Sequence, residues 1–124
     1  KKFAKIFENP QEKQVSEVVN SLNSIKEELK QKFTSLTKQE FLVFSTIYQL
    51  EEQGNIIDYP LLSRRLNLSE SSIRDYIQRM LKKQIPILKT RENNKKVFVS
   101  ISPNLRKLAS LPTILQIREE KEKI

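Results

Sequence analysis

Ser71, Arg74, Asp75, Gln78, Arg79 and Lys82 recur at helical spacing in a segment that Ser69 can cap and Pro86 must end. At about 100° per residue they project to one side, away from a stripe of Ile73, Tyr76, Ile77, Met80 and Gln84. Three cations beside three hydrogen-bonding side chains suit one kind of chemistry. Guanidinium and ammonium groups neutralise phosphates, and short polar side chains read the donor and acceptor pattern of base edges. The segments 87–92 and 95–102 then shift toward a period of two, which predicts paired strands. Asn93 and Asn94 between them can both take the positive φ of a two-residue type I′ turn, and Arg91, Lys95 and Lys96 flank that turn. Residues 69–107 hold ten Lys/Arg against three Asp/Glu, so nearly all of the net charge of +8 sits on this one helix and hairpin. An excess so confined is the electrostatic footprint of a phosphate-binding face rather than an aid to solubility.

Other chemistry is sparse. The chain has no Cys and no His, which removes disulfides, thiolate zinc sites, thiol catalysis and the commonest general base and metal ligand. It shows no Gly-rich phosphate loop and no nucleophile paired with a base, and Glu51-Glu52 and Glu119-Glu120 read as helix-surface charges. The expectation is a non-enzyme without catalytic residues, metal or cofactor. No apolar run approaches the roughly 20 residues needed to span a bilayer, so no membrane partner is expected and a cytoplasmic, nucleoid-associated location is. At 124 residues the chain suits one globular domain with extensions. It opens at Lys1 and closes in a charged helical pattern, which fits both a piece of a longer protein and a trimmed whole one.

The elements that must position the basic face follow from local signals. Val15, Val18, Leu22, Ile25 and Leu29 are spaced as the a/d seam of a coiled coil, which predicts a first helix built for a partner helix; Lys32 and Leu36 degrade the seam at its end. Thr37 with Glu40 forms a capping box, with Leu36 and Phe41 as hydrophobic staple, and starts a second helix that runs to about Gln53. Gly54, the only glycine, falls at the helix C-cap. Residues 55–57 predict a very short strand, Asp58 caps the next helix over Pro60 in its first turn, and Asn67 supplies the left-handed turn after Leu66. Phe41, Phe44, Ile47, Tyr48, Tyr76 and Met80 are expected in the core, and Phe98 either packs beneath a helix or lies exposed on the wing. Asn104 is expected to cap a short helix through Ser110, and Pro112 to open a last amphipathic helix bearing Ile114, Ile117 and Ile124. The fold class is thus mainly α with a small β-hairpin: a winged helix-turn-helix at 37–102, an N-terminal helical extension at 1–36 and C-terminal helices at 103–124.

The run Leu68-Ser69-Glu70-Ser71-Ser72-Ile73, continuing through Ile77, Arg79, Lys82 and Lys83, resembles the recognition helix of the multiple-antibiotic-resistance-regulator (MarR) superfamily. Leu36-Thr37-Lys38-Gln39-Glu40 is similar to that family's approach to its first domain helix. Gln84 stands where the family commonly has Gly, and the wing lacks the family's glycines and Asp-Arg pair. The resemblance implies a homodimeric transcriptional regulator of double-stranded DNA whose terminal helices form the dimer interface, a role suited to Val15, Val18, Leu22, Ile25 and Leu29 together with Ile114 and Ile117. It specifies no small-molecule effector. In a helix-turn-helix the third helix, residues 69–84, enters the major groove. Ser71, Ser72, Asp75 and Gln78 are then candidates for base edges, Arg74 and Arg79 for guanine or phosphate, and Arg74 foremost for specificity. The amides capped by Ser69 offer a phosphate site. Arg91, Lys95 and Lys96 would meet the adjacent minor groove or backbone, Lys82 and Lys83 the flanking backbone, and Arg64 and Arg65 the far strand. The competing reading is a winged-helix module for protein interaction or for replication and maintenance within a larger assembly.

Overall fold

In the computed structural model of the chain, which describes residues 10–92 and 96–120 with side chains from Ser16 to Glu119, the capping box read from Thr37 and Glu40 is formed. The Thr37 hydroxyl accepts from the Glu40 amide at 3.1 Å, and the Glu40 carboxylate accepts from the Thr37 amide at 2.9 Å. The elements are α1 (Pro10–Thr34), α2 (Lys38–Glu52), β1 (Ile57–Asp58), α3 (Tyr59–Leu66), α4 (Glu70–Lys82), β2 (Ile87–Glu92), β3 (Lys96–Ile101), α5 (Pro103–Leu108) and α6 (Leu111–Glu120). The mainly helical winged helix-turn-helix expected from the sequence is therefore the fold, with β1 joining the hairpin in an antiparallel sheet of order β1-β3-β2. The turn at Asn93 and Asn94, Lys95, Ile124 and the side chain of Val15 lie outside the described residues. No helix among the described residues is long and apolar enough to cross a membrane.

The chain divides into two compact units, Lys1–Gln31 and Lys32–Ile124. In the first, α1 leaves Val18, Val19 and Leu22 about half exposed, Ile25 half-buried and Leu29 buried. In the second, Phe33 meets Phe44 edge-on at 4.9 Å, and Val43, Ile47, Leu62, Ile73, Ile77, Met80, Val99, Ile101 and Leu105 are buried with them. Ile114 and Ile117 join this core, at 0% and 4% exposure. That corrects the expectation that they present a stripe to a second subunit: α6 packs on α2 of its own chain and consumes its apolar side there. Two other expectations change. Ser102 rather than Asn104 precedes α5, with Pro103 at the first helical position where no N–H is needed, and Ser110 belongs to the start of α6, accepting from the Thr113 amide at 3.4 Å. Glu51 is not a free surface charge; it pairs with Arg106 at 2.8 Å and accepts from the Ile101 amide at 3.3 Å.

Three helices end in the same way, with a left-handed residue that returns the chain. After α2, Gly54 at φ 88° lets its own amide reach the Glu51 carbonyl and the Asn55 amide the Leu50 carbonyl, both at 3.0 Å. Asn67 at φ 55° ends α3, with the Leu68 amide on the Ser63 carbonyl at 3.1 Å. α4 stops at Lys82, short of Gln84, because Gln84 itself adopts φ 61° and passes its amide to Leu81 and the Ile85 amide to Met80, each at 3.0 Å. The glutamine thus does here what a glycine would do without strain, at the steric cost a β-carbon carries in that region, about 1 kcal/mol. Gln84→Gly is expected to raise the urea midpoint by the equivalent of about 0.5–1 kcal/mol with an unchanged slope.

Glu40 also binds across the fold. It is 1% exposed, and the Lys83 ammonium donates to it at 2.6 Å and to the Ser35 carbonyl at 2.9 Å. Lys83 is therefore spent on the fold, a correction to its expected place on the flanking DNA backbone. Burial pushes the Glu40 carboxyl up, but the Lys83 bond, the Thr37 amide and the charges of Lys83 and Arg79 together outweigh it and hold the group below its ordinary value of 4.5. A depressed carboxyl contributes stability above its unfolded value and loses it as pH falls through the folded one. Glu40→Gln is expected to cost about 1–3 kcal/mol at neutral pH, with Lys83 partly solvated. In urea titrations run at successively lower pH, the gap to the parent protein should narrow as the pH falls below 4.5 and the Glu40 carboxylate takes up its proton.

Candidate nucleic-acid interface

α4 follows α3 through the Asn67 turn, and Ser69 caps it by accepting from the Ser72 amide at 3.1 Å. The same hydroxyl donates to the Ser72 hydroxyl at 2.9 Å, so the two serines occupy one another. Ile73, Ile77 and Met80 are fully buried, and this anchors the helix with Ser71, Arg74, Asp75, Gln78, Arg79 and Lys82 all exposed. Helical phase puts Ser71, Gln78 and Lys82 along the crest, with Asp75 beside them, Arg74 on one flank and Arg79 on the other. Each flanking guanidinium rests on a tyrosine. Arg74 lies 5.5 Å from the centroid of the Tyr59 ring and Arg79 5.6 Å from that of Tyr76. Tyr76 is accordingly a half-buried platform, not the core residue expected, whereas Met80 is core.

The hairpin supplies the second set of cations. Ile87 pairs with Ile101, Lys89 with Val99 and Arg91 with Val97, and cross-strand partners share a face. That face is apolar at its root, where Ile87, Ile101 and Val99 are buried, and cationic toward its tip, where Lys89 and Arg91 are exposed. Phe98, half-buried, lies on the opposite face between Asp58 and Thr90. The root is closed by the Ser102 amide on the Pro86 carbonyl at 3.0 Å.

Between α4 and the hairpin runs a groove of about 450 Å³ lined by Arg74, Gln78, Lys89, Arg91, Lys96 and Val97, with Asp58, Tyr59, Pro60 and Glu70 completing it. Four cations from the helix and from the hairpin that follows it thus meet, against two carboxylates. Of these, Asp58 is engaged as the cap of α3, accepting from the Leu61 amide at 2.9 Å. Of the expected residues, Arg74, Gln78, Arg91 and Lys96 converge here; Ser71, Asp75, Arg79 and Lys82 continue along the exposed face of α4; Arg64 and Arg65 are exposed on α3 outside the groove. Lys89 and Tyr59 belong to the groove and were not anticipated. The two-residue spacing of Lys89 and Arg91 on one strand was the available signal for the first. Nothing local marks Tyr59, which reads only as the start of a helix before Pro60. Tyr59 is 6% exposed, and its hydroxyl is the buried side-chain polar atom without a hydrogen-bond partner among the described residues. Burial pushes this phenol up, with Arg74 and Arg91 acting in the opposite direction.

No family model matches the sequence, and no curated protein matches it. Solved structures do match. DNA-bound reduced AbfR superposes with a TM-score of 0.54 at 12% identity, covering 89% of this chain and 78% of that one. MepR, described as a transcription regulator of the Staphylococcus aureus multidrug efflux pump MepA, gives 0.52 at 15% identity over 82% and 76% of the two chains. The S. aureus MepR–DNA complex gives 0.54 at 12% identity over 88% and 86%. At such identities the likeness is one of fold, and that fold is a winged helix-turn-helix.

Proposed function

We propose that the chain is a sequence-specific double-stranded DNA-binding protein that acts as a homodimeric transcriptional regulator, with α4 in the major groove and the β2–β3 wing on the adjacent minor groove or backbone. The observation that carries this reading is the meeting of Arg74 on α4 with Lys89, Arg91 and Lys96 on the wing along one groove. Cations of a single sign, held on two rigid elements beside an exposed polar helix, match a phosphate backbone flanking a readable groove. The DNA complexes of AbfR and MepR, which share the fold, support it. Such a regulator works without catalysis, in the cytoplasm beside the nucleoid.

The geometry favours a division of labour along α4. Ser71, Asp75 and Gln78, on and beside the crest, face base edges, and Lys82 reaches the backbone at the far end. Arg74 and Arg79, stacked on tyrosines at the flanks, clamp phosphates, which moves Arg74 away from the specificity role expected of it, and Arg91, Lys95 and Lys96 of the wing and, on the far strand, Arg64 and Arg65 do the same. Dimerisation falls to α1, where Val18 and Leu22 are 57% and 51% exposed in seam positions shared with Val15 and Ile25. Two recognition helices in such a dimer would meet successive major grooves about 34 Å apart on a near-palindromic site.

Selection from a random duplex pool across a salt series is expected to return a palindromic motif with steep salt dependence, and no retention at low salt would overturn the proposal in favour of a protein partner. On the recovered site, Gln78→Ala should lower specific affinity about tenfold and leave non-specific binding unchanged. Arg91→Ala with Lys96→Ala should weaken both and flatten the log–log salt slope by about 2. Leu22→Asp should shift the protein from dimer to monomer in sedimentation and weaken binding to the full site, while a half-site is bound as before.

A further inference from the structure

The groove between α4 and the wing holds a feature that a merely basic surface does not need. A tyrosine hydroxyl cut off from water is ordinarily hydrogen-bonded, and one left unpaired weighs against the fold. The ring of Tyr59 is fixed: it sits at the first position of α3, beside the Asp58 cap, with the Arg74 guanidinium over it. Cations supply charge for an anion, but they do not define where its oxygens must go. A single neutral donor on a rigid ring does.

We propose that this groove is a seat for one phosphate group bound by Arg74 and Arg91, and that the exposed Arg74 side chain, drawn off the Tyr59 ring toward that phosphate, uncovers the Tyr59 hydroxyl so that it donates to the same oxygens; resting on the DNA-binding reading above, we assign that phosphate to the DNA backbone where it passes between recognition helix and wing. The phenol is suited to the role because burial keeps it protonated, hence a donor, beyond the pH at which an exposed tyrosine would ionise. Glu70, in the first turn of α4 and exposed, is the carboxylate of the groove not held by a helix cap, and it adds a selective element by opposing anions that approach off-centre. Contact with the hydroxyl fixes α4 and the wing against a single backbone position, and so sets the register from which the crest of α4 reads bases.

Tyr59→Phe removes one oxygen and keeps the ring that carries Arg74. Its expected signature in the full chain is two-sided: the melting temperature of the free protein is equal or higher, because an unpaired polar atom is gone, while duplex DNA is bound about tenfold more weakly with the salt slope unchanged. Tyr48→Phe is the contrast, since that hydroxyl donates to the Ala109 carbonyl at 3.0 Å; it should lower the melting temperature and leave DNA affinity alone. A second arm measures the melting temperature in inorganic phosphate against chloride at equal ionic strength. Weaker DNA binding by Tyr59→Phe upholds the assignment to the backbone. Unchanged DNA binding with a phosphate-induced rise seen only in the parent protein keeps the seat and overturns the DNA source. Equal DNA binding and equal phosphate response in both proteins overturn the seat while the DNA-binding function stands. If the parent protein binds no duplex at all, that function fails, and the phosphate arm alone decides the seat.

Discussion

The Glu40 carboxylate is the constraint on which the rest of this domain depends. It closes the capping box that starts α2 and receives the ammonium of Lys83 from the end of α4. The helix that opens the domain and the helix that presents its polar face are therefore tied at one buried charge. Such a pair adds little net stability over an apolar replacement, but it fixes geometry, because a partner displaced even slightly leaves a desolvated charge unmet. Lys83 extends the tie to the Ser35 carbonyl, and Arg118 of α6 donates to the carbonyls of Phe33 and Leu36 at 2.6 and 2.7 Å. The carbonyls that a helix end and its following turn would leave to water are thus met by cations from two other elements.

Much of this architecture was legible in the sequence because its signals are local. Thr37, Asp58 and Ser69 each accept from the amide three residues on, and Asn67 takes the left-handed turn its type allows, so each does in the structure what its chemistry dictates. The exposed face of α4 followed from helical phase in the same way. What was illegible depends on contacts between elements. Lys83 looks like its neighbour Lys82 in the sequence, yet one is paired with Glu40 and the other is exposed. Glu51 and Arg106 lie far apart in the chain and meet only when α5 folds back. Ile114 and Ile117 had the spacing of an interface, and helical periodicity cannot distinguish a face that meets another subunit from one that meets its own core. Gln84 shows a different limit: a left-handed position can be filled by a residue whose type does not announce it.

The candidate site uses aromatic rings as supports for charge. Arg74 on Tyr59, Arg79 on Tyr76, Arg106 on Tyr48 and Arg118 on Phe41 repeat one arrangement at four places among the described residues, the last two, at 4.4 and 4.9 Å, outside the groove. A guanidinium resting on a ring loses fewer conformations when it meets an anion than one waving in water. This gives a small domain positioned cations without burying them.

The wing face that changes from Ile87, Ile101 and Val99 at its root to Lys89 and Arg91 toward its tip has a consequence for how such a chain can vary over generations. Substitutions near the tip alter attraction to a polyanion without opening the sealed root, so binding strength and structural integrity can drift separately. Tyr59 with Arg74 is the exception, a groove cation resting on a buried ring, and change there touches the core and the surface charge together.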